Sequence, residues 1–148
     1  MDAKEEIIEQ LKGFFIENAA CFEIEMAFLY GSWATGFQRE DSDIDLALIF
    51  FKEPSSDDEF FNSIVKISYL LTRKLNREVN IIQIYRDFRK PMLYYNAIIS
   101  GMLLYAKDFD GYVVLKNQAI YQMEDFSIFG LKWQYEVAVK NLEALRHV

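Results

Sequence analysis

Residues 29–50, LYGSWATGFQREDSDIDLALIF, join a tight glycine turn to a strand that begins with two carboxylates. The strand pattern IEMAFLY at 24–30 leads into the pair Gly31 and Ser32. Ten residues after Ser32 a second strand pattern, DIDLALIF at 43–50, begins. A glycine at the turn lets the backbone approach a ligand closely, because no Cβ stands in the way. If Ser32 opens a short helix, its amide and hydroxyl face an incoming phosphate group.

The two carboxylates of the second strand lie on one face. Residues two apart on a strand point the same way, so Asp43 and Asp45 project together from Cα atoms about 6.6 Å apart. The alternate residues face the core: Ile44, Leu46, Leu48 and Phe50. Carboxylates in this arrangement suit a pair of divalent cations, and oxygen ligands favour Mg²⁺ or Mn²⁺. The turn and the strand together predict one site for a metal-bound triphosphate.

Each half of this pattern also has an ordinary structural interpretation. GSWATG at 31–36 is compatible with a simple turn, and Ser42 and Asp43 are residue types that commonly mark the entry to a strand. The combination and its spacing favour the site.

Composition excludes several other classes of function. The chain of 148 residues contains one cysteine, Cys21, which permits no internal disulfide and is interpreted as a small core residue. The single histidine, His147, argues against a histidine-rich zinc site and against Ser-His or Cys-His catalysis. The net charge of -7 offers no general attraction to nucleic acid. Neither a signal peptide nor a membrane span is visible, so we expect a cytoplasmic protein.

The other sequence patterns alternate between helix and strand and predict an α/β fold. We expect one domain over residues 1–148, with a small mixed β-sheet, flanking helices and a C-terminal helical extension at about 111–147. The predicted elements are an amphipathic helix from Ala3 to about Ala20, a helix capped within Ser55, Ser56 and Asp57 after Pro54 and ending near Asn76, a strand at 79–84, a helix from Pro91 to Ser100 stopped by Gly101, a strand at 102–106, and a C-terminal helix broken or kinked near Gly130.

The spacing of Gly31, Ser32, Asp43 and Asp45 resembles the GS-x10-DxD motif of DNA polymerase beta-type nucleotidyltransferases. Residues 5–108 resemble in particular the minimal nucleotidyltransferases (MNT) found with HEPN-domain toxins. The resemblance implies an α/β nucleotidyltransferase core that transfers a nucleoside monophosphate, typically AMP from ATP, to a hydroxyl of a partner protein. It further implies that Gly31 and Ser32 contact the triphosphate and that Asp43 and Asp45 hold Mg²⁺ or Mn²⁺.

The chain departs from this family pattern at Asn80, which occupies the position of a third aspartate that usually completes the catalytic metal site. An amide can ligate Mg²⁺ through its oxygen, but it carries no charge and is no general base near neutral pH. Glu78, on the same strand face, is a candidate substitute. Two hypotheses follow: an active nucleotidyltransferase, or an antitoxin of this fold that neutralises its toxin by binding alone.

The C-terminal segment is rich in aromatic residues, which either pack in the core or form an interface. Four of them are more than one helix face easily buries: Phe126, Phe129, Trp133 and Tyr135. Docking of a HEPN-type toxin or formation of a homo-oligomer would account for the surplus.

Overall fold

The computed structural model of the protein describes residues 2–39, 41–52 and 57–146, with backbone alone for Asp57 and residues 126–130. Its elements are α1 (Ala3–Asn18), β1 (Ile24–Tyr30), α2 (Ser32–Thr35), β2 (Ile44–Phe50), α3 (Asp57–Leu75), β3 (Val79–Gln83), α4 (Pro91–Tyr95), a π-helical segment (Asn96–Ser100), β4 (Met102–Ala106) and α5 (Phe109–Arg146). The predicted order of helices and strands is confirmed, including the short helix that Ser32 opens. Pro54, Ser55, Ser56 and His147 lie outside the described residues.

The four strands form one mixed sheet in the order β3-β2-β1-β4. β1 is antiparallel to both of its neighbours, whereas β2 and β3 are parallel. The parallel pair is connected through α3, as parallel strands require a long crossover. As a consequence, the end of β1 and the beginnings of β2, β3 and β4 meet at one edge of the sheet.

Helices cover both faces of the sheet. The sequence analysis predicted a buried face for the second strand on one side only. α1 and α3 cover the face onto which Ile44 and Leu46 point. α4, the π-helical segment and the first half of α5 cover the face of Ala47 and Ile49. In β2 only Asp45 is not fully buried.

The C-terminal helix differs from its prediction in both start and continuity. α5 begins at Phe109 and runs through Gly130 to Arg146 without the predicted break. Glycine in a helix interior costs about 1 kcal/mol relative to alanine but keeps its backbone hydrogen bond, so it does not by itself end a helix. The helix before β4 also differs, because its second half takes the π form.

One prediction of burial is wrong, and one of the two open interpretations of the C-terminal aromatic residues fails. Cys21 is exposed, because it lies in the turn between α1 and β1 and not within either element. The core interpretation of the C-terminal aromatics fails for Trp133 and Tyr135, which are exposed on the distal part of α5. The side chains of Phe126 and Phe129 lie outside the described set. None of the described helices combines the length and apolar character that crossing a membrane requires.

Candidate active site

The turn after β1 has a backbone conformation that only glycine adopts readily. Gly31 has φ 74° and ψ -153° and stands immediately before α2. A Cβ at this position would overlap the Oδ2 atom of Asp45. The absence of a side chain at Gly31 is therefore what allows the turn to lie directly against a carboxylate of β2.

The predicted carboxylates do meet, together with Asn80. Asp45 and Asn80 are register partners on the parallel strands β2 and β3, and Asp43 precedes β2. The Asn80 Nδ2 atom lies 3.4 Å from Asp43 Oδ2 and 3.4 Å from Asp45 Oδ1, donating a long hydrogen bond to each. Asp43 and Asn80 are exposed and Asp45 is half-buried, so the group opens to solvent at the sheet edge.

Trp33 holds the turn and the carboxylate strand together, a role that the sequence interpretation missed. Its ring is buried at 3% exposure, and its Nε1 donates a hydrogen bond of 3.0 Å to the carbonyl of Ser42. The Arg77 guanidinium stacks 4.9 Å from the centre of the same ring. Because Ser42 directly precedes Asp43, this bond fixes α2 relative to the first carboxylate. The signal in the sequence was a large aromatic residue inside an otherwise small and polar turn.

Ser32 opens α2, so its amide and hydroxyl lie at the N-terminal end of that short helix. Its carbonyl accepts hydrogen bonds of 3.1 Å from the amides of Gly36 and Phe37, which close the helix. The Thr35 hydroxyl donates to the Gly31 carbonyl at 3.1 Å. Hydrogen bonds within the turn therefore hold Gly31 and Ser32 in place, and a phosphate contact by these two residues stays a prediction.

A row of polar side chains crosses three strands at this edge. Tyr30 of β1 and Asn80 of β3 flank Asp45 in register. Burial raises the pKa of Asp45, the charge of Asp43 adds to the rise, and the hydrogen bond from Asn80 opposes it. Burial and the nearby Asp45 charge raise the pKa of Tyr30. Asp45 is consequently a stronger base than an exposed aspartate, and Tyr30 is a neutral phenol at physiological pH.

The donor set fits a hard divalent cation with two carboxylates and one amide. Asp43 and Asp45 supply oxygen ligands, and rotation of the Asn80 amide would turn its Oδ1 toward them. Glu78 does not complete a third carboxylate: within the described ranges, no three acidic, histidine or cysteine side chains converge as metal ligands would. The Glu78 side chain is exposed just before β3, and its backbone carbonyl accepts a hydrogen bond from Ile44.

The sequence was also compared with known protein families and proteins. Residues 9–110 match the family model described as polymerase beta, nucleotidyltransferase. The matched region contains the whole sheet and all residues of the candidate site. No significant match was found among curated protein sequences.

Several solved structures share the fold at low sequence identity. A toxin-antitoxin with AMP-PNP has 16% identity and a TM-score of 0.65, covering 85% of this chain and 97% of that one. A MntA-HpeT toxin-antitoxin mutant with two aspartate-to-glutamate changes two positions apart has 14% identity and a TM-score of 0.65, with the same coverage. A tri-AMPylated Shewanella oneidensis HEPN toxin in complex with MNT antitoxin has 14% identity and a TM-score of 0.61, covering 88% and 98%.

Proposed function

Because this chain belongs to the polymerase beta nucleotidyltransferase family, we propose that it transfers AMP from ATP to a hydroxyl of a partner protein. We further propose that the partner is a HEPN-type toxin, which this chain neutralises as its antitoxin. The AMP-PNP and the AMPylated toxin named for two structures of the same fold support the choice of nucleotide and of partner.

One observation carries the proposal: Asp43 and Asp45 share a sheet face at an open edge, and the Asp45 carboxylate lies directly against the backbone of a glycine turn. Asp45 lies so close to Gly31 that even a methyl group there would displace it. A core packing role does not account for two exposed or half-exposed carboxylates held in this way. In the MntA-HpeT mutant, the altered aspartates have the same spacing as Asp43 and Asp45, which supports a function for the pair.

The proposed reaction is a substitution at the α-phosphorus of ATP. The acceptor hydroxyl oxygen forms a bond to that phosphorus, the bond to the bridging oxygen breaks, and pyrophosphate leaves with the bonding electrons. The hydroxyl proton passes to solvent water, because Asp43 and Asp45 are the proposed metal ligands and the Asn80 amide cannot accept a proton near neutral pH. Gly31 and Ser32 would orient the phosphates through backbone and hydroxyl contacts.

Asp43 and Asp45 are the proposed ligands of Mg²⁺ or Mn²⁺, with Asn80 contributing its amide oxygen. When bound, the metal neutralises phosphate charge during the transfer. Binding would require the Asn80 amide to give up its two hydrogen bonds to the carboxylates, so metal and amide nitrogen compete for the same oxygens.

The same contact favours a second candidate function, in which the protein neutralises a toxin by binding alone. Asn80 adds no negative charge to the site and cannot accept a proton near neutral pH. Nucleotide binding would then survive better than transfer, because Asp43, Asp45 and phosphate oxygens still hold one metal ion. Whether the site can catalyse transfer with an amide at position 80 therefore distinguishes the two functions.

Isothermal titration with ATP and Mg²⁺ tests the metal-site proposal. The double variant Asp43→Ala, Asp45→Ala should lose most of the affinity while its thermal melt shows a folded protein. A matched double variant on exposed acidic positions of α5, Glu136→Ala and Glu143→Ala, removes the same charge and should bind as wild type does. Equal affinity in wild type and the Asp43, Asp45 variant would exclude this site. A second assay distinguishes an enzyme from a protein that only binds. It measures the transfer of labelled AMP from α-labelled ATP to a HEPN-type protein encoded by an adjoining gene.

A further inference from the structure

The distal half of α5 carries an exposed apolar stripe with the spacing of a coiled coil. We name this stripe, formed by five residues, the α5 seam: Leu131, Tyr135, Ala138, Leu142 and Leu145. Its members are separated alternately by four and three residues, an average period of about 3.5 that keeps them on one side of a helix. Four of them are large and strongly exposed: Leu131 67%, Tyr135 71%, Leu142 60% and Leu145 72%.

The seam extends away from the rest of the protein. Ala119, in the first half of α5, is buried at 1% exposure against the sheet layer. From Leu131 to Arg146, by contrast, Val139 is the one side chain that is even half-buried. A helical stretch of this length is marginally stable in water without tertiary packing, and its stability comes from covering an apolar face. A binding partner for the seam would therefore also order this part of the chain.

Charges beside the seam limit what can cover it. Lys132, Val139 and Arg146 lie along one flank, where a coiled coil places its interhelical ion pairs, and Gln134 and Asn141 lie along the other. The acidic residues of this stretch, Glu136 and Glu143, lie directly behind the basic flank, four residues after Lys132 and three residues before Arg146. The flank positions themselves carry no acidic residue, in a chain whose net charge is -7.

We propose that the α5 seam docks an amphipathic helix of a partner protein whose own apolar seam is flanked by acidic residues. Such a helix would cover the leucines and place carboxylates opposite Lys132 and Arg146. Identifying this partner with the acceptor protein rests on the proposed function, but the docking itself does not.

A second copy of this chain is a poorer occupant on the same grounds. Antiparallel pairing of two seams brings Lys132 of one copy beside Arg146 of the other at both ends, which is repulsive. Parallel pairing places Arg146 opposite the neutral flank that includes Asn141. Neither arrangement supplies a carboxylate to the basic flank.

Two designed peptides of four heptads, with identical leucine and isoleucine seams, test the proposal against the full-length chain. One peptide has glutamate at all flanking positions and the other has lysine. Fluorescence anisotropy of the labelled peptides should show the acidic peptide binding about tenfold tighter or more at low salt, with the difference shrinking at high salt. Equal affinities, or binding of neither peptide, would overturn the proposal without touching the transferase proposal, since no nucleotide is present.

Variants locate the contact. Leu142→Asp should abolish binding of the acidic peptide, and Lys132→Glu with Arg146→Glu should reverse the preference toward the basic peptide. Lys140→Glu, an exposed charge change on the opposite side of the helix from the seam, is the control and should leave the preference unchanged. Sedimentation that reveals a dimer of the chain, lost in Leu142→Asp, would overturn the proposal in favour of a second copy.

Discussion

Asp45 and Asn80 are direct register partners on parallel strands, and the Asn80 amide nitrogen lies 3.4 Å from an Asp45 carboxylate oxygen. An amide at this place donates to the carboxylates, whereas a third carboxylate would repel them. The hydrogen bonds from Asn80 therefore stabilise the two negative charges when no metal ion is bound. The effects of Asp45, Asn80 and a bound cation on stability and affinity can each be measured.

The first prediction concerns the pH dependence of stability in metal-free buffer. Burial, with a further contribution from Asp43, raises the pKa of Asp45 above its ordinary value despite the hydrogen bond from Asn80. The folded state then holds this proton more tightly than the unfolded state, so the contribution of Asp45 to stability falls as the pH rises from about 4 through its raised pKa. Asp45→Asn, which cannot ionise, should gain in Tm relative to wild type at pH 7 and lose that advantage near pH 3.

Thermal melts in EDTA at several pH values measure this difference. Asp41→Asn, at an exposed position two residues before the site, controls for a general change of net charge. A gain in Tm that is the same for Asp45→Asn at pH 3 and pH 7 would contradict the raised pKa.

The second prediction compares two glycines with positive φ. Gly31 has φ 74° and Gly36 has φ 87°, but a Cβ at Gly31 meets the Asp45 carboxylate and one at Gly36 meets nothing within 4 Å. Gly36→Ala should cost about 1 kcal/mol of backbone strain. Gly31→Ala should cost about 1 to 3 kcal/mol for a conformation that is almost confined to glycine, and should in addition displace Asp45.

Denaturant unfolding gives the stability of both variants, and titration with ATP and Mg²⁺ gives their affinity. We expect Gly36→Ala to bind nearly as wild type does and Gly31→Ala to lose at least tenfold. Wild-type affinity in Gly31→Ala would show that the close approach of turn and carboxylate has no part in binding.

Local patterns were sufficient to predict the strands. β1 and β4 have the predicted limits, 24–30 and 102–106, because each is an apolar run bounded by turns and glycines. The shared face of Asp43 and Asp45 followed from the period of two residues in a strand. These features depend on neighbours in the sequence alone.

The remaining features depend on contacts between distant segments. Cys21 has apolar neighbours, but its exposure is set by the position of a turn outside the core. The continuity of α5 through Gly130 and the exposure of Trp133 depend on where the helix leaves the sheet. The hydrogen bonds from Asn80 to both aspartates need the register of β2 and β3, which no local pattern specifies.

The third prediction tests Trp33 as a positioning residue. Trp33→Phe keeps an aromatic ring in the core but removes the donor to the Ser42 carbonyl, at a cost of about 1 to 3 kcal/mol for an unsatisfied partly buried group. Because Ser42 precedes Asp43, we also expect weaker binding of ATP and Mg²⁺. The control is Trp133→Phe, an exposed tryptophan on α5, which should change neither quantity. Loss of stability with unchanged affinity would limit Trp33 to a role in packing.

The last prediction uses a substitution of Asn80 to distinguish the two proposed functions. Asn80→Asp places a third carboxylate beside Asp43 and Asp45, so without metal the like charges should lower the Tm, and Mg²⁺ should raise it by more than in wild type. If the protein is a transferase with an incomplete metal site, this variant should also transfer AMP faster. Loss of a catalytic base costs about 10²- to 10⁴-fold in rate, and restoring it should recover a measurable part of that factor.

Melting curves with and without Mg²⁺ test the expected change in Tm. Transfer of labelled AMP from α-labelled ATP to the HEPN-type partner tests the expected rate separately. Asn62→Asp, at an exposed position of α3, introduces the same charge on the other side of the sheet and should alter neither. Glu78→Ala should leave wild-type transfer unchanged, because Glu78 does not join the carboxylates. A stronger response to Mg²⁺ without any transfer in Asn80→Asp would favour neutralisation by binding alone, since the metal site would be complete and the reaction still absent.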